Sequence, residues 1–238
     1  MKLYLFIVFL LTLPDTYGQT DTLENIPTPA TKITLWATYY YVPVLNHAEH
    51  GIDLLDKQEN KLGLKLDSCD WCTAAIEGTV IIKKENKNHV LNYAGRSKKS
   101  QYDCRLCVQY KSYDNYSKTG KILWGVSSGF GKGVKNYDLI PFKTIAVDSS
   151  VIPYGAVVYI PRAKGTEYIN LWGVNVKHDG FFFAGDTGSK IVGNHIDVFI
   201  GTALENPFGF IKSNPQGTFE AYLTLHEKLP VETENIIK

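Results

Sequence analysis

From residue 139 onward the chain breaks into short β-type runs punctuated by glycine and proline, and this rhythm constrains the fold more than any other feature. Runs at 140–147, 156–160, 173–176, 180–184, 195–200 and 218–225 read as strands, with a turn placing Pro153 second and Gly155 fourth between the first two. An earlier run at 33–42, Ile-Thr-Leu-Trp-Ala-Thr-Tyr-Tyr-Tyr-Val, is rich in β-branched and aromatic residues and ends at Pro43. Short strands at this spacing predict a mainly β molecule, a closed barrel or a sandwich. With 44% hydrophobic and 13% aromatic residues, the chain can fill a core as one large or two small domains.

Residues 44–138 are of mixed character. Ser68 is expected to cap a short helix over 69–77 that Gly78 ends, and a strand follows at 79–83. The stretch 111–134 reads as loops, because its glycines lack the order of a phosphate-binding loop and no amphipathic helix follows them. Four cysteines form two C-x-x-C pairs, Cys69/Cys72 and Cys104/Cys107, a pattern compatible with a zinc ribbon, a redox pair or two disulfides. The start of the chain bears on that choice. Lys2, an apolar stretch over 3–13 too short to span a bilayer, and Thr16-Tyr-Gly18 read as a secretory signal peptide cut after Gly18. Export favours disulfides, and bridges between the pairs rather than within them, since a C-x-x-C bridge closes too small a loop to restrain the unfolded chain.

No cysteine follows the apolar run where a lipid anchor would attach. Residues 19–31, polar and proline-bearing, are expected to be a flexible lead-in, and 229–238 a tail. Net charge is +1, and loss of the leader removes Lys2 and Asp15 together, so nothing suggests a nucleic-acid partner.

The run Asp186-Thr-Gly-Ser-Lys-Ile-Val-Gly-Asn-His-Ile-Asp197 holds a carboxylate at each end of a glycine-bearing loop. In the strand 195–200, alternation puts Ile196, Val198 and Ile200 on the core face, and His195, Asp197 and Phe199 on the other. Asp197 is thereby expected on a surface or cleft wall, where apolar walls or a neighbouring carboxylate raise an aspartate's pKa toward that of a general acid. Asp148 joins Asp186 and Asp197 as a candidate, although each also fits a turn cap. Asp186-Thr-Gly-Ser189 matches the triplet of aspartic proteases, which need two copies where this chain has one. His47 and His50 have metal-ligand spacing without an evident third ligand, so neither metal nor cofactor is expected. Tyr39, Tyr41, Tyr154, Trp124 and Trp172 suit sugar stacking and core packing alike.

Three segments together resemble a known family: Ile145-Ala-Val-Asp148-Ser-Ser-Val-Ile-Pro-Tyr-Gly, His178-Asp-Gly-Phe-Phe-Phe-Ala-Gly-Asp186-Thr-Gly, and Gly193-Asn-His-Ile-Asp197-Val-Phe. They look like the three-aspartate (3D) domain of the membrane-bound lytic transglycosylase A family, which is similar in fold to rare lipoprotein A and expansins. The resemblance is dense over 140–228 and thinner at Tyr39-Tyr-Tyr-Val-Pro43. It implies a six-stranded double-psi β-barrel over 139–228, a first strand at 32–43, and an inserted mixed α/β segment at 44–138. It also implies cleavage of the bond between N-acetylmuramic acid and N-acetylglucosamine in peptidoglycan, with a 1,6-anhydro product. Asp197 takes the general acid and base position and Asp186 and Asp148 support it. Tyr39, Tyr154, Thr187, Gly188, Lys190 and His195 are the expected glycan contacts. The chain departs from the family loop at Ser189, Lys190 and Val192, where glycine, alanine and lysine are usual. The implied place of action is the cell envelope, in the periplasm or at the outer membrane. A glycan-binding module of expansin type and a hydrolase of the same bond are the alternatives.

Overall fold

Ala30–Tyr40, the β-branched and aromatic run, forms an eleven-residue strand, β1, and the rest of the fold is arranged around it. The computed structural model describes residues 30–112, 116–170, 172–203 and 205–224; the expected leader, the lead-in before Ala30 and the tail lie outside them. In chain order β1 is followed by β2 (Val44–Asn46), β3 (Ile52–Leu55), β4 (Lys61–Leu66), α1 (Ser68–Glu77), β5 (Thr79–Lys84), β6 (Lys87–Arg96), α2 (Tyr116–Thr119) and β7 (Ile122–Ser127). The second half holds β8 (Thr144–Ala146), β9 (Val157–Tyr159), β10 (Glu167–Ile169), β11 (Asn175–Lys177), β12 (Phe181–Asp186), β13 (His195–Phe199) and β14 (Phe219–Thr224).

Six strands close into the expected double-psi barrel in the order β1-β13-β8-β12-β9-β14. β1 closes it: its first half runs antiparallel to β14, from Ala30↔Thr224 to Leu35↔Phe219, and its second half parallel to β13, from Trp36↔His195 to Tyr40↔Phe199. Alternation sends Leu35, Ile145, Val158, Phe182, Ile196 and Val198 inward, where each is fully buried. Each such side chain contributes about 1.5–3 kcal/mol through lost contact with water.

The structure corrects several strand readings. Only Thr144–Ala146 of 140–147 is strand, because Pro141 interrupts the ladder and the N–H groups of Lys143 and Thr144 turn back to the Ile140 carbonyl. The run near 173–176 pairs with β10 as a separate ribbon outside the barrel. The turn before β9 is Pro153–Ala156, one residue later than read, with Gly155 third at φ 95.

The segment between β1 and β8 builds a second layer, a four-stranded sheet of order β2-β5-β6-β7 with the hairpin β3-β4 and helix α1 packed over it. Asp67 rather than Ser68 is the N-cap of α1, and Gly78 ends the helix in the left-handed conformation at φ 80. Disulfides join Cys69 to Cys107 and Cys72 to Cys104, between the two pairs. The loop reading of 111–134 misses β7, whose Ile122, Leu123 and Trp124 are buried. Trp124 lies in the core of this layer with Trp71, Ile82 and Leu91, which removes it from the sugar-stacking candidates. Val42, Leu139 and Phe199, with Tyr40, Ile81 and Phe130 packed against them, join the two layers.

Candidate active site

Strand register puts the carboxylates in one row. Thr38 on β1 pairs with Asp197 on β13, Asp197 pairs with Ala146 on β8, and Ala146 pairs with Asp186 on β12. Directly opposed residues share a face, so the row points out of the barrel while Ala37, Ile196, Ile145 and Ala184 point in. With strands about 4.8 Å apart, the Asp186 and Asp197 backbones stand roughly 10 Å from each other. Asp186 reaches this face because the register shifts between Ala184 and Asp186, an irregularity that re-aims the side chain. Gly185 occupies the bulge, where a Cβ would come 2.9 Å from the Phe183 ring and 3.2 Å from Thr144.

The hydrogen bonds around these groups are specific. Tyr40 Oη donates to Asp186 Oδ2 at 2.7 Å, and the Thr187 backbone N–H also donates to that carboxylate. Thr38 Oγ1 lies 2.7 Å from Asp197 Oδ1 and 2.8 Å from His195 Nε2. His195 Nδ1 is 3.2 Å from the Lys190 carbonyl, which can only accept. With the ring proton on Nδ1, a neutral His195 accepts the Thr38 hydroxyl through Nε2, and the Thr38 oxygen is left to accept from protonated Asp197. Ionised Asp197 calls the hydroxyl back to itself. The Thr38 rotor thus follows the charge on Asp197.

Burial raises Asp197 to about 6, opposed by the Thr38 hydroxyl and assisted by the charge of Asp186. Burial likewise raises Asp186 to about 6, opposed by Tyr40 and the Thr187 N–H. The charge of Asp186 thus adds to burial in favouring a proton on Asp197.

A cleft of about 230 Å³ opens over the row, lined by Asp186 and Asp197 together with Tyr39, Thr187, Gly188 and Lys190, all expected from the sequence. It runs into a lobe of about 500 Å³ against the second layer, which shares Asp186, Thr187 and Gly188. The other expected residues lie outside this lining. Asp148 accepts from Ser150 N, from Ser150 Oγ and from Gly193 N at 2.7 Å, so it pins the Asp186–Asp197 loop, and the Ser150 hydroxyl foremost holds its pKa low. His195 is buried and stacked on Trp36 with ring centroids 3.6 Å apart, which leaves it behind the wall of the cleft. Tyr154 packs against the barrel core.

Three residues of the site escape the sequence reading. Thr38 and Tyr40 share the outward face of β1 with Trp36, and the alternation that exposes Asp197 on β13 would have found them once the parallel pairing was known. Glu77, the last residue of α1, lines both lobes of the cleft, and no local pattern announces it because its place depends on where α1 docks. No group of three His, Cys, Asp or Glu side chains among the described residues is placed to hold a metal ion. No helix among them is long and apolar enough to cross a membrane.

A family model described as the 3D domain matches residues 143–215. No curated protein matches the sequence. Among solved structures, MltA from Neisseria gonorrhoeae is similar over 84% of this chain and 74% of its own, at 14% identity and a TM-score of 0.52. MltA from E. coli with bound chitohexaose is similar over 82% of this chain and 74% of its own, at 14% identity and a TM-score of 0.50. For the membrane-bound lytic murein transglycosylase from Agrobacterium tumefaciens the shares are 87% and 78%, at 12% identity and a TM-score of 0.50. At such identities the likeness is one of fold. Residues 143–215 of this chain thus match the 3D domain, within a fold similar to that of the MltA structures.

Proposed function

We propose that the protein is an exported lytic transglycosylase that cleaves the N-acetylmuramic acid to N-acetylglucosamine bond of peptidoglycan, with Asp197 as general acid and base. The observation that carries this reading is Asp197 itself, a largely buried carboxylate raised to about 6 at the wall of an open cleft. The 3D domain and the MltA-like fold support it, and the chitohexaose in the E. coli protein supports a glycan as the occupant of the cleft. Protonated Asp197 gives its proton to the glycosidic oxygen, and the C1–O4 bond breaks with its electron pair leaving on that oxygen. The 6-hydroxyl of the muramic residue attacks C1, and its proton restores Asp197, so no water is consumed. Charge on Asp186 stabilises the positive ring carbon that forms between these events. Tyr39, exposed beside Asp197, offers a ring face to a pyranose.

Mass spectrometry of soluble products from purified peptidoglycan tests this directly. The mature protein is expected to release 1,6-anhydro muropeptides, and Asp197→Asn to lose at least about 10²-fold in rate, the usual contribution of a positioned acid. Reducing-end products would make the enzyme a hydrolase. Glycan binding without any product would leave a binding module.

A further inference from the structure

We infer that Glu77, presented by the last turn of α1 across the cleft from Asp197, is a second catalytic carboxylate, which takes the proton of the attacking sugar hydroxyl while Asp197 protonates the leaving oxygen. This rests on the lytic transglycosylase reading and divides between two residues the acid and base work that one carboxylate would otherwise do alone. The balance is unchanged: the C1–O4 bond breaks, the C1–O6 bond forms, Asp197 loses a proton, Glu77 gains one, and transfer between them restores the starting state.

The geometry supports the assignment in three ways. Glu77 lines the small lobe together with Asp186 and Asp197, and lines the larger one too, so a glycan filling both lobes would lie against this side chain. Its carrier is rigid, since α1 is bridged by Cys69–Cys107 and Cys72–Cys104 and stopped by Gly78 immediately after Glu77. Its carboxylate accepts the Tyr41 backbone N–H, which fixes it in place and leaves lone pairs for a ligand.

A purely structural cap is the competing explanation. That role needs an acceptor but no charge, and an amide would fill it without the cost of a half-buried carboxylate. No lysine, arginine or histidine among the described residues is within ion-pair distance of Glu77. Burial raises it to about 7, the Tyr41 N–H opposes that rise, and the charge of Asp197 adds to it. From the barrel side Asp186 and Tyr40 face the same space, Lys190 enters from the loop, and Tyr41, packed against the barrel core, is near enough to feel the charge of Glu77. Arg96, Lys118 and Lys132 lie around the larger lobe. With Glu77 at about 7 and Asp197 at about 6, the reactive form, Glu77 ionised and Asp197 protonated, is a minority species whose share is greatest between the two values.

Glu77→Gln separates the two roles, because the amide oxygen still accepts the Tyr41 N–H at nearly the same volume. The wild-type rate of anhydro-muropeptide release is expected to fall toward low pH as Glu77 takes up a proton, and toward high pH as Asp197 loses one. Glu77→Gln should unfold at a temperature no lower than wild type, and at a higher one above about pH 7 where the charge penalty is removed, while it keeps glycan binding, loses about 10²-fold or more in kcat, and loses the low-pH fall-off. A kcat within about threefold of wild type with the same two-sided profile would overturn the role of Glu77 and leave that of Asp197 intact. If the wild type makes no anhydro product, both readings fall. Should Glu77→Gln unfold, Glu77→Ala assayed with added formate takes its place: recovery of product supports a proton acceptor at this position, and no recovery overturns it.

Discussion

Asp197 as a charged group works against the fold that holds it. Its folded pKa of about 6 lies above the ordinary carboxylate range, so the folded state binds its proton more tightly than the unfolded chain does. The associated stability is fully present below the unfolded pKa near 4 and is lost as pH rises through about 6. Asp197→Asn removes this penalty while keeping an acceptor for Thr38. It should unfold at higher urea than wild type at about pH 8, by about 2–3 kcal/mol, with the difference vanishing at about pH 4. An Asn variant less stable than wild type at both pH values would mean that burial does not raise this carboxylate. The outward place of Asp197 is legible from alternation alone, since Ile196 and Val198 point inward. The same alternation puts His195 beside it, yet the parallel register with β1 lays Trp36 over that ring, and no local pattern shows a partner so distant in sequence.

At the scale of elements, α1 carries one wall of the cleft, and its position depends on the cystines. The leader expected from the sequence and loop size suffice to favour bridges between the two C-x-x-C pairs, because each closes a long loop, with separations of 38 and 32 residues. Strand β7 is less legible: the glycines on either side of it suggest turns, and Ile122-Leu-Trp124 is short enough that its burial between layers, not its sequence, defines it. Removing Cys72–Cys104 by serine substitution at both positions should destabilise the second layer by less than the roughly 4 kcal/mol that its 32-residue loop would contribute alone, because Cys69–Cys107 still closes the enclosing loop. Amide exchange is expected to quicken in α1 and β5 while β12 and β13 keep their protection, and glycan release should fall as α1 loosens. Equal loss of protection in the barrel strands would show that the two layers unfold as one unit.

At the scale of the whole molecule, the cleft belongs to neither layer. The barrel is readable because its strands announce themselves one by one, whereas the cleft exists only where 44–138 folds back on the outer face of β1, β13 and β12, a juxtaposition no single segment encodes. Phe199, Val42 and Leu139 hold the layers together, and Gly133 is a point of close approach between the returning chain and the carboxylate row. A Cβ at Gly133 would fall well inside contact distance of the Gly185 carbonyl and 3.1 Å from Asp186 Oδ1, and the first of these is backbone that cannot swing away. The φ of Gly133 is −89, outside the left-handed region that favours glycine, so it is proximity that opposes alanine there. Gly133→Ala must therefore push the layers apart or push the bulge at Gly185 back, and either movement displaces Asp186 relative to Asp197. Overpacking of this kind costs about 1–3 kcal/mol in stability, while a displacement of about 1 Å at reacting groups costs on the order of 10²-fold in rate. The expected result is a folded variant with a modestly lowered unfolding temperature and a kcat for glycan release reduced far beyond what that loss of stability explains. Unchanged kcat with lowered stability would mean that the carboxylate row is held by the barrel alone, and that the second layer serves only to cover it.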